Sequence, residues 1–112
     1  YRVKVEKAYL PDTEQAAAAV GAQIAAARRE LGWTQEELAA RLGVSRQLVA
    51  KIEGGSTGAS LGTVLEAAIV CGVRLFGVES ADLSLVVDRE RARAALLPTR
   101  VRSRTPVIDN DF

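Results

Sequence analysis

The chain has 112 residues, of which 48% are hydrophobic and only 4% aromatic, and its formal net charge is +1 at neutral pH. This length allows one small domain with an arm or tail, and its core must consist of alanine, leucine, valine and isoleucine. Histidine is absent and Cys71 is the sole cysteine, which argues against an internal disulfide, a zinc site and histidine-based catalysis. We therefore expect no metal, no cofactor and no enzyme activity.

No apolar run approaches the roughly 20 residues that a membrane-spanning helix requires, and no secretory signal is visible. These absences favour a cytoplasmic protein without a membrane partner. The charges are unevenly distributed, because six arginines lie between Arg89 and Arg104 with Glu90 as the only acid among them. The carboxyl-terminal part of the chain is thus the most basic.

The amino-terminal residues 1–7 alternate between apolar and charged side chains, which is the period of a half-buried strand. We interpret residues 1–12 as such a strand or, alternatively, as a mobile arm. An alanine-rich helix is predicted next, from Glu14 to Leu31, with Asp12 or Thr13 as its cap.

The stretch from Thr34 to Gly55, TQEELAARLGVSRQLVAKIEGG, contains two short helical patterns. In the first pattern, Thr34 and Glu37 have the spacing of a capping box, in which each side chain satisfies a backbone amide of the other residue. Gly43 follows at the position where a helix commonly ends in a left-handed residue. The first pattern is therefore predicted to be a helix with a sharp end.

The second helical pattern begins after Ser45, which is a favourable capping residue. Val49 and Ile52 then recur at helical spacing on its inner face, and Gly54 and Gly55 end it. Two short helices joined by one glycine and one buried valine must cross steeply, so that the start of the second helix projects. This arrangement is a helix-turn-helix.

This stretch resembles the Xre/Cro-type DNA-binding domain of bacterial and phage repressors. Four parts carry the resemblance, namely the TQ start, the central LA, the LGVS turn and the IEGG end. The resemblance extends from about Ala16 to Gly72. It implies a mainly α-helical, five-helix domain similar to that of lambda repressor, and we place this helix-turn-helix domain at residues 13–72.

The resemblance also implies roles for polar residues around the motif. In this family an arginine at the place of Arg28 pairs with a glutamate such as Glu53, and we favour this ion pair over a phosphate contact by Arg28. Gln35 is implied to hold a DNA phosphate and to support the base-reading residue. The other candidates for DNA backbone contacts, some of which are alternatively simple turn formers, are Ser45, Lys51, Ser56 and Thr57.

Specificity for duplex DNA comes from contacts with base edges, and the start of the second motif helix is predicted to enter the major groove. Arg46 is the candidate for pairing with guanine O6 and N7, and Gln47 for pairing with adenine N6 and N7. Ala50, one turn further on, is small enough to contact a thymine methyl group. The alternative for Arg46 and Gln47 is a solvated surface position.

Beyond the motif, Ser60 is predicted to cap a fourth helix from Leu61 to Cys71. Residues 73–78, VRLFGV, are dense in strand-forming residues, and a single strand requires a partner. The sequence therefore predicts a short β-strand that pairs with its copy in a second subunit, which agrees with the resemblance to HipB-type antitoxins. The predicted dimer contacts are Val73, Leu75, Phe76 and Val78.

A fifth helix is predicted from Ser80 or Asp82 to Leu97, which makes residues 73–97 the dimerisation segment. Residues 98–112 are predicted to be a flexible tail that is first basic and then acidic. The basic part of the tail contains Arg100, Arg102 and Arg104. Three interpretations of these arginines remain open, namely contact with DNA phosphates, contact with an acidic partner protein, and simple solubility.

The sequence thus predicts a homodimeric, nucleoid-associated repressor that binds a palindromic operator in double-stranded DNA. Its tail, with LLP and RVR followed by an acidic end that terminates in phenylalanine, is similar to that of repressors encoded beside HipA-type kinase toxins. This resemblance favours a HipB-like antitoxin that represses its own operon and binds a HipA-like kinase. The alternatives are a free-standing Xre-type regulator and a protein-interaction module of the same fold that does not bind DNA.

Overall fold

A computed structural model describes residues 8–101, and this part of the chain is helical. Its five α-helices are α1 Pro11–Glu30, α2 Gln35–Leu42, α3 Arg46–Glu53, α4 Leu61–Val70 and α5 Leu83–Ala95. Two short 3-10 turns, Leu75–Gly77 and Ser80–Asp82, lie between α4 and α5. The prediction of a mainly helical chain with five helices is confirmed.

The described helices fall into two compact units, one that ends at Ser80 and one that begins at Ala81. The first unit contains α1 to α4, and the second contains α5. As expected from the composition, the core of the first unit has no aromatic residue among its buried members, which are Ile24, Leu38, Ala39, Val49, Ile52, Ala67, Ala68 and Cys71. None of the helices between residues 8 and 101 is both long enough and apolar enough to cross a membrane.

The first helix begins earlier than predicted, at Pro11 rather than Glu14. Proline suits the first helical position because its φ is already helical and its missing N–H has no partner there in any case. Asp12 consequently lies in the first turn, and Leu10 occupies the cap position without a side-chain hydrogen bond. The prediction that Asp12 or Thr13 caps this helix is wrong.

α1 passes the carboxyl end of α3 at very short range, and glycine makes this approach possible. A Cβ atom on Gly21 would lie 2.3 Å from the carbonyl oxygen of Ile52 and 2.8 Å from that of Glu53. Gly55, which has a φ of +88°, faces α1 as closely, because its Cβ would lie 2.8 Å from the Cα of Ala18. These two glycines allow the backbones of α1 and of the end of α3 to touch.

The segment 73–78 is not a strand, and the prediction of a dimerising strand at this place is wrong. Its middle, Leu75–Gly77, forms a 3-10 turn that is closed by a 3.2 Å hydrogen bond from the Val78 amide. Phe76 and the glycine after it both have positive φ, 56° and 73°, outside the β region. A lone strand would leave its backbone groups unpaired, whereas this turn pairs the N–H of Val78 with the carbonyl oxygen of Leu75 within the chain.

The four predicted dimer contacts have different surroundings. Val73 and Leu75 are half-buried and pack against the core of their own unit, and Val78 is also half-buried. Phe76 is the exception, with 76% of its surface exposed. The turn therefore commits most of this apolar segment to its own subunit and presents one aromatic side chain to the solvent.

Parts of the two predicted terminal segments lie outside the described residues. This applies to residues 1–7, which carry the predicted amino-terminal strand or arm, and to Arg102 and Arg104 of the tail. Arg100 is described and exposed. α5 ends at Ala95, slightly before the predicted Leu97.

Cys71 is buried at the end of α4, and this position determines its reactivity. Burial, together with the negative charge of Glu53, raises the pKa of its thiol and outweighs the opposite influence of Arg28. The thiolate is the reactive form, so we expect no reaction with a thiol reagent at pH 7 in the native chain. Adding the reagent before and after denaturation in urea checks this, and rapid modification of the native chain would contradict it.

Candidate nucleic-acid interface

The start of α2 is held by a reciprocal capping box, as the sequence predicted. The Glu37 backbone N–H donates to Thr34 Oγ1 at 3.0 Å, and the Thr34 backbone N–H donates to Glu37 Oε1 at 2.7 Å. Both amides would otherwise lack a partner at the helix start. The cap also fixes the position of Gln35, which is the first residue of α2.

The turn from α2 to α3 is made by Gly43, with φ 71° and ψ 33°, a conformation that glycine adopts without steric cost. Val44 then packs against the core. The Leu48 backbone N–H donates to Ser45 Oγ at 3.1 Å, so that Ser45 caps α3. The two motif helices and their turn thus lie where the sequence predicted them.

α3 has a buried inner face and an exposed first turn. Val49 and Ile52, which are 1% and 3% exposed, belong to the core. Arg46 and Gln47, in the first turn, are exposed. The packed face holds the helix in place while its amino-terminal side chains remain available to a partner, which is what major-groove recognition by a helix requires.

Arg28 on α1 and Glu53 at the end of α3 form a buried ion pair with two hydrogen bonds. Arg28 Nε donates to Glu53 Oε2 at 2.6 Å and Nη2 donates to Oε1 at 3.0 Å, and the side chains are 8% and 6% exposed. Arg28 Nη1 also donates to the Trp33 carbonyl oxygen at 2.7 Å. The predicted ion pair is confirmed, and these bonds engage Arg28 inside the protein rather than at a DNA phosphate.

Both members of this pair are stabilised in their charged forms. The hydrogen bond with Glu53 is the main cause that raises the pKa of Arg28. For Glu53, burial is the largest single influence and acts to raise its pKa, but the hydrogen bonds from Arg28 and Gln35, with the nearby positive charges, outweigh it. The pKa of Glu53 is therefore lowered overall, and the pair is ionised at neutral pH.

Gln35 and Arg46 extend the ion pair towards the exposed start of α3. Gln35 Nε2 donates to Glu53 Oε1 at 3.0 Å, and Arg46 Nη1 donates to Gln35 Oε1 at 3.2 Å. One series of hydrogen bonds thus runs from Arg28 through Glu53 and Gln35 to Arg46, and we call it the polar network. It links side chains of α1, α2 and α3.

The bond between Gln35 and Glu53 was missed at the sequence level. The two residues are 18 positions apart, and no periodic or capping pattern relates them. The resemblance placed Gln35 beside the base-reading residue and Glu53 beside Arg28, but it gave no link between these two pairs. Only the packing of α2 against α3 brings them together.

The remaining candidates occupy the motif and the loop that follows α3. Lys51 and Ser56 are exposed, whereas Ala50 and Thr57 are half-buried. The Gly58 backbone N–H donates to Ser56 Oγ at 3.1 Å, so Ser56 does form a turn, although its hydroxyl proton remains available to a phosphate. The hydroxyl of Ser45 is in the same situation at the cap of α3. The DNA contacts of all these residues stay predictions.

Comparison with known protein families agrees with this geometry. The family model described as helix-turn-helix matches residues 24–78, which extend from the middle of α1 to the end of the turn that follows α4. Among the curated proteins, none matches the chain.

Proposed function

Through residues 24–78 the chain belongs to the helix-turn-helix family of the Xre and lambda-repressor-like type, and on this premise we propose a sequence-specific repressor. Members of this family are DNA-binding transcription regulators. The proposed repressor binds a palindromic operator as a homodimer. The observation that carries the proposal is the exposed first turn of α3, where Arg46 and Gln47 are solvent-exposed on a helix whose inner face is packed. Such a protein acts in the cytoplasm, at the nucleoid.

Base recognition is assigned to the first turn of α3. Arg46 donates to O6 and N7 of a guanine, and Gln47 pairs with N6 and N7 of an adenine. Arg46 has five N–H groups, of which one is engaged by Gln35, so enough donors remain for the guanine edge. Ala50 lies against a thymine methyl group, and the positive charge of Lys51 contributes phosphate affinity.

Dimerisation follows from the amount of sequence that one copy can read. A single domain of this size contacts about 4–5 base pairs, and a mismatch costs only ~1–3 kcal/mol, so one copy is poorly selective. Two copies bind half-sites about one helical turn apart. Apolar side chains are individually exposed in both units, Phe76 in the first and Leu85, Leu96 and Leu97 in the second. Burying such side chains against a second copy would be favourable.

Within this function we favour an antitoxin that represses its own operon and binds a HipA-like kinase toxin. The support comes from the sequence of the tail, in which LLP and RVR precede an acidic end. A kinase-like reading frame beside the gene, and a complex between the two purified proteins, are the expected observations. A gene without such a neighbour would instead support a free-standing regulator.

Substitution of Arg46 tests the proposed base contact. Selection of bound duplexes from a random library first identifies the operator, and titrations then compare it with variant sequences. Arg46→Ala is expected to cost about 1–3 kcal/mol of operator binding per half-site and to relax the preference at one base pair of each half-site, because a contact with a base edge is lost in each copy. Lys51→Ala is the matched control, and it should weaken all sequences alike and lower the salt dependence by about one ion per half-site.

Two results would contradict the proposal. If Arg46→Ala lowered the affinity for operator and scrambled DNA by the same factor, Arg46 would not read a base. If the wild-type chain enriched no sequence from the library and bound no duplex, the fold would serve another purpose, such as the recognition of a protein.

A further inference from the structure

Gln35 lies between two side chains of opposite hydrogen-bonding character. Its Nε2 donates to Glu53 Oε1 at 3.0 Å, and its Oε1 accepts from Arg46 Nη1 at 3.2 Å. A carboxylate only accepts hydrogen bonds and a guanidinium only donates them. The amide of Gln35 therefore has one favourable orientation, because turning it over would place oxygen against oxygen and N–H against N–H.

The inner end of the polar network, at Glu53, is fixed in place. The Glu53 side chain is 6% exposed and accepts two hydrogen bonds from Arg28, at 2.6 and 3.0 Å. Arg28 is itself bonded to the Trp33 carbonyl oxygen at 2.7 Å. Charge-assisted bonds in a two-point pair are strong and directional, so the carboxylate of Glu53 is a rigid reference point for Gln35.

The outer end of the polar network is the long side chain of Arg46, which has few restraints. Arg46 is exposed, and its hydrogen bond with Gln35 is the only one that its guanidinium makes among residues 8–101. Without this bond the side chain would sample many rotamers, and ordering it on DNA would cost conformational entropy. A bond that already holds the side chain lowers that cost for the geometry it favours.

We propose that Glu53 is a positioning residue that sets base specificity at Arg46 by fixing the orientation of the Gln35 amide. This inference rests on the proposed function, since it requires Arg46 to read a base. The carboxylate that joins α1 to α3 thereby also controls the side chain at the opposite end of α3. One hydrogen bond of this kind changes an equilibrium roughly threefold to tenfold, and the change appears as discrimination between base pairs.

Glu53→Asp tests the inference, because its carboxylate is one methylene shorter and withdraws from Gln35, while the long Arg28 side chain can follow it. The measured quantity is the ratio of affinities for the selected operator and for an operator altered at the base pair read by Arg46. We expect this ratio to fall roughly threefold to tenfold, with unchanged affinity for scrambled DNA. Val70→Ala is the control, since Val70 packs against the core from α4 outside the polar network and should lower stability without changing the ratio.

Gln35→Met completes a double-mutant cycle. It removes both bonds of the amide, so it should reduce the ratio by itself, and Glu53→Asp should then have no further effect. A ratio that Glu53→Asp leaves unchanged in the wild-type background would overturn the inference, as would an equal reduction in both backgrounds. These results differ from a failure of the proposed function, in which the wild-type chain itself shows no base preference.

Discussion

Gly21→Ala is expected to destabilise the first unit by about 3 kcal/mol or more, at the upper end of what overpacking costs. The new methyl group would lie 2.3 Å from one backbone carbonyl oxygen of α3 and 2.8 Å from the next. Neither atom can move without shifting the helix that carries Arg46. Urea unfolding followed by circular dichroism measures the loss, and operator binding should weaken with it.

Gly62→Ala is the matched control for this substitution. Gly62 lies in α4, and a Cβ at this position would meet no atom within 4 Å. Alanine is a better helix former than glycine, so we expect unchanged or higher stability, by up to about 1 kcal/mol. If Gly21→Ala proved as stable as Gly62→Ala, the close approach of α1 and α3 would be incorrect.

Glu53→Leu is expected to cost about 3–5 kcal/mol, because it leaves the Arg28 guanidinium buried without its carboxylate. The double variant Arg28→Met, Glu53→Leu removes both charges and should recover most of this loss, since a buried ion pair often contributes little more than apolar residues of similar volume. Trp33 would still lack a donor for its carbonyl oxygen, so recovery should be incomplete. A double variant as unstable as the single one would contradict this account.

The same ion pair makes stability depend on pH. The pKa of Glu53 in the folded chain is below its ordinary value of 4.5, so the folded state holds the carboxylate more strongly ionised than the unfolded state does. The stabilisation that the Glu53 carboxylate contributes to the folded chain is therefore fully present above the pKa that this group has in the unfolded chain. It is lost as the pH falls through the pKa that the group has in the folded chain. We expect the wild type to lose more stability than the double variant when the pH is lowered below about 4.5. Urea titrations at a series of pH values measure both losses. Equal losses in the two proteins would show that the ion pair does not cause the pH dependence.

The predictions that succeeded concern short stretches in which a few neighbouring residues determine the outcome. The capping box of Thr34 and Glu37 and the cap of α3 by Ser45 each involve residues within one turn of each other. The left-handed conformation of Gly43 is likewise local, because it depends on the absence of a Cβ. Such features are encoded in the order of residues and can be read without knowing the fold.

The prediction that failed for segment 73–78 was based on strand propensity, with which the resemblance to HipB-type antitoxins agreed. Valine, leucine and phenylalanine favour strands only where a neighbouring strand and an apolar surface receive them. In the fold, Val73 and Leu75 instead pack on the core of their own unit, and the chain turns at Phe76. Tertiary packing thus overrode a local preference.

The sequence by itself determined the helix-turn-helix, its caps and the residues exposed at the start of α3, because capping and helical periodicity act over a few residues. Tertiary structure decided which distant polar groups meet, because no local pattern predicts such links and only the family resemblance implied the pair of Arg28 and Glu53. The links from Arg28 to Glu53 and from Glu53 to Gln35 span 25 and 18 positions, and they exist because α1 and α2 both pack on α3. Hydrogen bonds depend on distances and angles that only the assembled helices define.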